Sequence, residues 1–377
     1  MSSTTIVFLI AAGFLLYYAS FLLYVLRGLS RLSTPPETRY QPPVSVVVAT
    51  HNEEKTIHRC LTSLLDQSYP EQSVELIVVD DDSSDRTAEI VQQLSSSTPR
   101  IRFFALPPKK EGSTGRKPEA IAKGVEHASG EVILTTDADC TVPQDWLSSM
   151  VRYFDNDTAF VAGPVLESGS TTFLGRLSEI EFLGLIGTAA GLIANHTPIF
   201  CNGANLAFRK DAFTAAAGYG ENSSGCDDET LLQRIHARHL GTIKYSVDRD
   251  SIVETSPSET MRQFLFQRMR WASKRDHYEG NGILLHLIIL YFGFVAFFAL
   301  ALATLFSHEL LTGLIGLFVL KGLVDFVVLR KASTLFDKPI PGFHFFIAEL
   351  FHVPYIVVVA FLGQIMTPRW TEGRTDK

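Results

Sequence analysis

The stretch Val44–Glu54, VSVVVATHNEE, begins as an apolar, mostly β-branched run and ends in polar residues. Its first part, Val44–Ala49, is typical of a strand that is buried on both faces of a parallel sheet. Three more strands are predicted, each preceded by a helix-compatible segment: Glu75–Val79, Ile101–Leu106 and Glu131–Thr136. Strands that alternate with helices form right-handed βαβ units. The sequence therefore predicts an α/β fold with a mostly parallel, Rossmann-like sheet and flanking helices.

Acidic residues follow two of these strands. Asp80 and Asp81 end the second strand, and Asp137 and Asp139 end the fourth. Ligands of such sheets bind beyond the carboxyl ends of the strands. The first turn has no Gly-rich phosphate loop, which disfavours dinucleotide cofactors and ATP hydrolysis. Two carboxylates one residue apart suit Mg²⁺ or Mn²⁺, with a diphosphate completing the coordination, although Asp-x-Asp alone is also typical of a solvated turn.

Six motifs occur in the order that is found in family 2 glycosyltransferases, which the chain resembles. They are VVVATHNEE (46–54), VVDDDSSD (78–85), Gly115-Arg116-Lys117 with Ala120, TTDAD (135–139), DDETL (227–231) and QRMRW (267–271). The resemblance implies the GT-A fold of that family. It also implies inverting transfer of a sugar from a nucleotide sugar, with UDP as the expected nucleotide, to a lipid or glycan acceptor. The flanking apolar segments resemble the membrane-bound branch of the family.

The resemblance assigns the donor site residue by residue. It implies that the nucleotide sugar contacts Thr50, Glu53, Asp80, Asp81, Lys117 and Asp137. Asp139 matches the direct metal ligand, with Asp137 towards the ribose or the outer metal shell. For Lys117 the alternative is an ordinary surface cation at the start of a helix.

The resemblance also assigns the acceptor side. Asp228 aligns with the general base that takes the proton of the acceptor hydroxyl. The motif here begins with Asp227 where the family has Glu, so the adjacent carboxylates could share the role, or could instead stabilise a helix N-terminus. Gln267, Arg270 and Trp271 match the Gln-x-x-Arg-Trp motif, with Arg facing the diphosphate and Trp stacking on a sugar. Cys201–Asn205 falls where the family shapes its donor-sugar and acceptor pocket.

Long apolar segments flank this block. Ile6–Leu26 has 21 uncharged residues, enough to cross a hydrocarbon core of about 30 Å. Two more spans are predicted within Ile283–Leu329 and a further one within Phe343–Met366. The expected domains are an N-terminal anchor (1–30), a GT-A domain (40–280), a membrane domain of two to three helices (281–367) and a basic tail (368–377). A shorter apolar run, Phe182–Ala194, is predicted to be an interfacial or core helix.

Charge and topology narrow the class of protein. Charged residues make up 19% of the chain against 46% hydrophobic ones, with a net charge of −7, so no nucleic-acid partner is expected. Arginines follow the first predicted span, and Lys and Arg precede the second, which predicts a cytosolic catalytic block in a multi-pass plasma or inner membrane protein. The last segment is either a span or a re-entrant helix bent at Pro354. Scattered Cys60, Cys140, Cys201 and Cys226 are expected to be reduced.

Two other classes stay open from sequence. A sugar nucleotidyltransferase could share the sheet and the acidic metal site, but it needs a Gly-rich basic loop after the first strand. A membrane transporter or scaffold could carry a degenerate nucleotide-binding module. The predicted role of the glycosyltransferase is in the biosynthesis of a cell-envelope glycan or glycolipid, with membrane lipids around its helices.

Overall fold

The computed structural model describes residues 3–38, 40–108, 116–219, 227–273, 281–306 and 308–366. The chain divides into two units. One contains Arg31–Gly169 and His196–Ser256, and we call it the sheet unit. The other contains the chain up to Ser30, Ser170–Asn195 and the chain from Pro257 onward, and we call it the helical unit. The limits predicted for the anchor (1–30), the GT-A domain (40–280), the membrane domain (281–367) and the tail (368–377) stay predictions.

Nine strands are present in the described residues of the sheet unit. They are β1 Val44–Thr50, β2 Val74–Asp80, β3 Ile101–Ala105, β4 Val132–Asp137, β5 Thr158–Ala162, β6 Val165–Glu167, β7 Leu206–Arg209, β8 Thr242–Tyr245 and β9 Val253–Thr255. Seven form one sheet in the order β3-β2-β1-β4-β7-β5-β8, and β6 pairs with β9. Only β7 runs antiparallel to its neighbours in the seven-stranded sheet of the described chain. The predicted fold class is confirmed.

Helices follow the strands as predicted. Those of the sheet unit are α2 Ile57–Leu65, α3 Thr87–Ser97, α4 Lys117–His127, α5 Trp146–Val151, α7 Lys210–Ala215 and α8 Asp227–Ala237. Each of β1, β2 and β4 is almost wholly buried. This is why the sequence shows them as continuous apolar runs rather than as alternating ones.

The helical unit contains six helices in the described residues. They are α1 Ser3–Leu29, α6 Phe173–Ala194, α9 Met261–Ala272, α10 Asn281–Ala303, α11 Leu311–Leu335 and α12 Gly342–Ile365. Five of them, all but α9, are long and apolar enough to cross a membrane. Pro354 lies inside α12. The N- and C-terminal apolar helices that the sequence predicts are thus present.

Helix α6 differs from the expectation for its sequence. It begins at Phe173, nine residues before the apolar run Phe182–Ala194. Its 22 residues are long enough to span a membrane. In its most apolar window 61% of the residues are buried, against 11% to 28% in the other four helices. Close backbone contact with α1 contributes to this burial, because a Cβ on Gly28 would lie 1.9 Å from the carbonyl oxygen of Gly191. Helix α6 is therefore a largely covered helix of this unit.

Candidate active site

The ends of three central strands lie side by side in the sheet unit. Thr50, the last residue of β1, pairs in register with Asp80 of β2, and Ala49 pairs with Asp137 of β4. All three strands run parallel, so their carboxyl ends share one edge of the sheet. The predicted donor-site residues of these strands are therefore brought together at that edge.

Two aspartates at the end of β2 lie in different surroundings. Asp80 accepts hydrogen bonds from the amide and the hydroxyl of Ser83, which close the turn after the strand. Asp81 accepts from the backbone amide of Arg116 at 3.0 Å and from its Nε at 2.8 Å. Both aspartates are more than nine-tenths buried. Arg116, immediately before α4, was not singled out from sequence, although it stands beside Lys117 in the quoted motif.

The turn after β1 is fixed by contacts to the chain after β2. His51 Nδ1 lies 2.8 Å from the carbonyl oxygen of Asp81, and the Glu53 amide donates to the Thr87 hydroxyl at 2.7 Å. Thr56 donates to the Glu53 carboxylate at 2.8 Å. The Thr50 hydroxyl is buried and has no hydrogen-bond partner within the described chain. Such an orphaned polar atom at a ligand edge fits a position that a bound molecule completes.

Lys117 joins the fourth strand to this edge. Its Nζ lies 2.6 Å from Oδ1 of Asp137, and both side chains are largely buried. The lysine is the first residue of α4, which packs on β1. Lys117 is therefore paired with Asp137 and is not an exposed surface cation. A partly buried cation beside Asp137 offsets part of the negative charge at the strand end.

Asp228 lies in the same cluster. It is the second residue of α8, and its carboxylate accepts from the Gly203 amide at 2.9 Å and from the Glu229 amide at 3.0 Å. Gly203 is held in turn by Thr135, whose hydroxyl donates to the glycine carbonyl at 3.0 Å. A Cβ at Gly203 would lie 3.2 Å from Lys117 Nζ and 3.3 Å from Asp228 Cβ. Asp228 and Lys117 thus meet at a glycine, where an added Cβ would be packed tightly against both side chains.

Asp227 is the first residue of α8, and nothing is described of its side chain. Gly115 and Cys226 lie outside the described residues. Gly203, which contacts Asp228, was predicted only as part of the segment Cys201–Asn205. Its signal was its position between two motifs that carry carboxylates.

The donor atoms near β4 suit a hard divalent cation. Asp137 and Asp139 supply carboxylate oxygens. The Cys60 thiol lies 3.5 Å from the backbone carbonyl oxygen of Asp137, and the Cys140 thiol lies 3.6 Å from Oδ1 of Asp139. Burial, and then the charges of Asp139 and Asp137, raise the pKa of both thiols well above its usual value. Mg²⁺ and Mn²⁺ prefer hard oxygen ligands to thiols. The carboxylates of Asp137 and Asp139 therefore fit Mg²⁺ or Mn²⁺.

A three-ligand cluster in the described chain, Asp325, Glu349 and His352, lies in the helical unit. It does not fit a metal. The ammonium of Lys321 already lies 2.6 Å from both carboxylates and 2.8 Å from the imidazole, in the place a metal ion would take.

The Gln-x-x-Arg-Trp motif lies on α9 of the helical unit, which begins with a capping box between Thr260 and Gln263. Gln267, Arg270 and Trp271 are all partly buried. The most buried charged residue of the helix is Arg268, at 2% exposure. The motif assigns no role to this position. A partly apolar helix with several arginines gave no sequence signal for which arginine is buried.

The sheet order and acid-lined strand ends define a GT-A-like fold. A solved structure of the same fold is the mannosyltransferase PcManGT from Pyrobaculum calidifontis in complex with GDP-Man and Mn²⁺. It superposes with a TM-score of 0.60 at 20% identity and covers 88% of this chain and 100% of that one. At this identity the likeness shows the fold.

Family models identify the chain further. The model for glycosyl transferase family 2 matches residues 45–215, and the model for glycosyl transferase family group 2 matches residues 132–363. The chain belongs to glycosyltransferase family 2.

Two curated relatives are similar over the same region. An N-acetylglucosaminyltransferase of Rhizobium meliloti is 30% identical over 63% of this chain and 57% of its own length. A poly-beta-1,6-N-acetyl-D-glucosamine synthase of Staphylococcus aureus is 27% identical over 69% of this chain and 64% of its own length. The chain thus spans less than two thirds of the length of either relative.

Proposed function

We propose that the protein is a membrane-anchored inverting glycosyltransferase, which transfers a sugar from a UDP-sugar to a lipid or glycan acceptor at the cytosolic face. The observation that carries the proposal is the hydrogen bond that holds the Asp228 carboxylate against Gly203, beside the Lys117–Asp137 pair. A general base and a charged diphosphate site in one cluster are what glycosyl transfer requires. The names of the curated relatives make N-acetylglucosamine the first sugar to test.

The residues act together as follows. The acceptor hydroxyl gives its proton to Asp228 as its oxygen forms a bond to the anomeric carbon. The bond from that carbon to the diphosphate oxygen breaks on the opposite side, so the configuration inverts and UDP leaves with the electron pair. Asp80, Asp81, Thr50 and Glu53 hold the nucleoside, and Lys117 lies near the diphosphate. Asp227 assists Asp228, and Gln267, Arg270 and Trp271 serve the acceptor and the diphosphate.

A divalent metal belongs to the proposal. Asp139, with Asp137, would hold Mg²⁺ or Mn²⁺, which supplies charge neutralisation for the leaving diphosphate when it is bound. The protein's own contribution is the ion pair between Lys117 and Asp137, which keeps the second carboxylate in a fixed position.

The proposal is tested with the full chain in detergent and UDP-N-acetylglucosamine as donor, by measuring UDP release with Mn²⁺, with Mg²⁺ and with a chelator. We expect Asp228→Asn to lower the rate by about 10² to 10⁴, the usual contribution of a general base. Asp145→Asn is the matched control, because Asp145 also lies at a helix start, is exposed and makes no capping hydrogen bond.

An Asp228→Asn protein with the wild-type rate would contradict the base assignment, and a rate that a chelator leaves unchanged would contradict the metal. Release of pyrophosphate from a nucleoside triphosphate and a sugar phosphate would instead identify a nucleotidyltransferase. No turnover of any nucleotide sugar would favour the scaffold or transporter class.

A further inference from the structure

A buried arginine, Arg268, occupies the first of the two unspecified positions of the Gln-x-x-Arg-Trp motif on α9. The Arg268 guanidinium donates through Nε and Nη2 to one oxygen of Glu181 on α6, the former at 2.8 Å. The other oxygen of Glu181 accepts from the Tyr355 hydroxyl of α12 at 3.1 Å. Three helices of the helical unit, α6, α9 and α12, therefore meet at one ion pair.

The same guanidinium covers an aromatic face. Its carbon lies 4.3 Å from the ring centroid of Trp271, 4.9 Å from that of Phe264 and 5.7 Å from that of Phe182. Trp271 also stacks on Phe182, with centroids 5.8 Å apart and an angle of 30° between the rings. Cation–π contacts are strongest for tryptophan and gain strength when the cation is desolvated, as Arg268 is. One face of the indole is thus fixed against the protein.

Arg268 also orients a second motif residue. Its Nη1 donates to Oε1 of Gln267, and the Ser258 hydroxyl donates to the same oxygen at 3.2 Å. These two donors determine which way the Gln267 amide faces. Gln267 and Trp271 are two of the residues proposed to serve the acceptor. Both are held by Arg268, which need not touch the acceptor itself.

We propose that Arg268, paired with Glu181, is a positioning residue that sets the orientation of Trp271 and Gln267 for the acceptor. The inference rests on the proposed function in one respect, namely that Trp271 meets the acceptor sugar. The planar guanidinium is required because it combines forked hydrogen bonds with stacking. A lysine keeps the charge but can provide neither.

The experiment compares Arg268→Lys with Arg262→Lys. Arg262 is the matched control, since it lies on the same helix and stacks on Phe266 at 5.7 Å but is exposed. Membranes containing the full chain are given radiolabelled UDP-N-acetylglucosamine. Label in the membrane or glycan fraction measures transfer, and free sugar measures hydrolysis by water. For Arg268→Lys we expect transfer to fall about tenfold or more, because small displacements of positioned groups cost rate steeply.

Hydrolysis should change by less than about twofold, since water needs no stacking platform. Arg262→Lys should match the wild type in both rates. Equal transfer by Arg268→Lys and wild type would overturn the proposal. A parallel loss of transfer and hydrolysis with a lower unfolding temperature would overturn it too, because that pattern belongs to a purely structural ion pair. Glu181→Gln, which keeps the size of the side chain, should lower transfer in the same sense.

A second measurement does not depend on catalysis. Acrylamide quenching of Trp271 is obtained as the difference between each variant and the same variant carrying Trp271→Phe. We expect quenching to increase in Arg268→Lys and not in Arg262→Lys, and unchanged quenching would overturn the positioning role. If the wild type transfers no sugar, the proposed function fails, while the quenching result still decides whether Arg268 holds Trp271.

Discussion

Gly203 brings the backbone close to two charged groups of the proposed active site. An added Cβ would lie within 3.2 to 3.4 Å of Lys117 Nζ and of Asp228 Cβ and Oδ2, which is tight for a carbon contact. The backbone amide of the same residue holds the Asp228 carboxylate. The glycine is thus needed for close approach of the chain to two charged groups.

We expect Gly203→Ala to lower the rate of UDP release about tenfold or more while the protein remains folded, because Asp228 and Lys117 must both shift by a few tenths of an ångström. Gly316→Ala is the control, since no atom lies within 4 Å of the position of its added Cβ. Steady-state rates and thermal unfolding of both variants make the measurement. A Gly203→Ala enzyme with a wild-type rate would show that the contact is not needed.

At the scale of elements, Glu75 fastens β2 to its neighbours. Its carboxylate accepts from the Ser45 hydroxyl of β1, from the Ser129 hydroxyl before β4 at 2.8 Å and from Arg102 of β3 at 3.0 Å. Burial alone would raise the pKa of Glu75, but the hydrogen bonds from Ser45, Ser129 and Arg102 outweigh it and lower the pKa to about 2. One carboxylate thus joins three strands of the parallel half of the sheet.

A lowered pKa predicts acid sensitivity. The pKa of Glu75 lies below its ordinary value of 4.5, so its stabilising contribution is complete above that pH and is lost as the pH falls towards 2. We expect Glu75→Gln to lower the unfolding temperature at pH 7 and to flatten the fall in stability between pH 4.5 and 2. Glu89→Gln should do neither, because Glu89 pairs with Arg86 on the exposed surface. Parallel pH profiles of wild type and Glu75→Gln would contradict the prediction.

In the molecule as a whole, a cluster of charged side chains lies among the apolar helices. Lys321 and Asp325 lie one helical turn apart on α11, and their side chains meet at 2.6 Å. The structure adds Glu349 of α12, also 2.6 Å from the Lys321 ammonium, and Tyr18 of α1, whose hydroxyl donates to Asp325 at 2.7 Å. The cluster therefore joins three helices of the helical unit.

Removing the cation should leave two carboxylates in an apolar setting. We expect Lys321→Met to destabilise the protein by about 3 to 5 kcal/mol, the usual cost of breaking a buried ion pair by removing one partner. Thermal unfolding in detergent measures the change, with the exposed Arg330→Met as control. Adding Asp325→Asn and Glu349→Gln to Lys321→Met should restore much of the stability. A triple variant no more stable than the single one would contradict this account.

The sequence by itself determined the parallel strands, the apolar helices and the family. Buried strands such as Val44–Ala49 need an unbroken apolar run, membrane-length helices need about 20 apolar residues, and the carboxylates stand at the strand ends in a fixed order. These properties are local in the chain, so they can be predicted from its pattern.

Only the tertiary structure decided which charged groups meet. The pairs Arg116–Asp81 and Lys117–Asp137 join segments 35 and 20 residues apart, and Arg268–Glu181 joins segments 87 residues apart. Nothing in the spacing distinguishes Arg268 from Arg270, because burial depends on which helices pack against α9. The identity of ion-pair partners is a property of strand order and helix packing, which bring together side chains that the sequence keeps far apart.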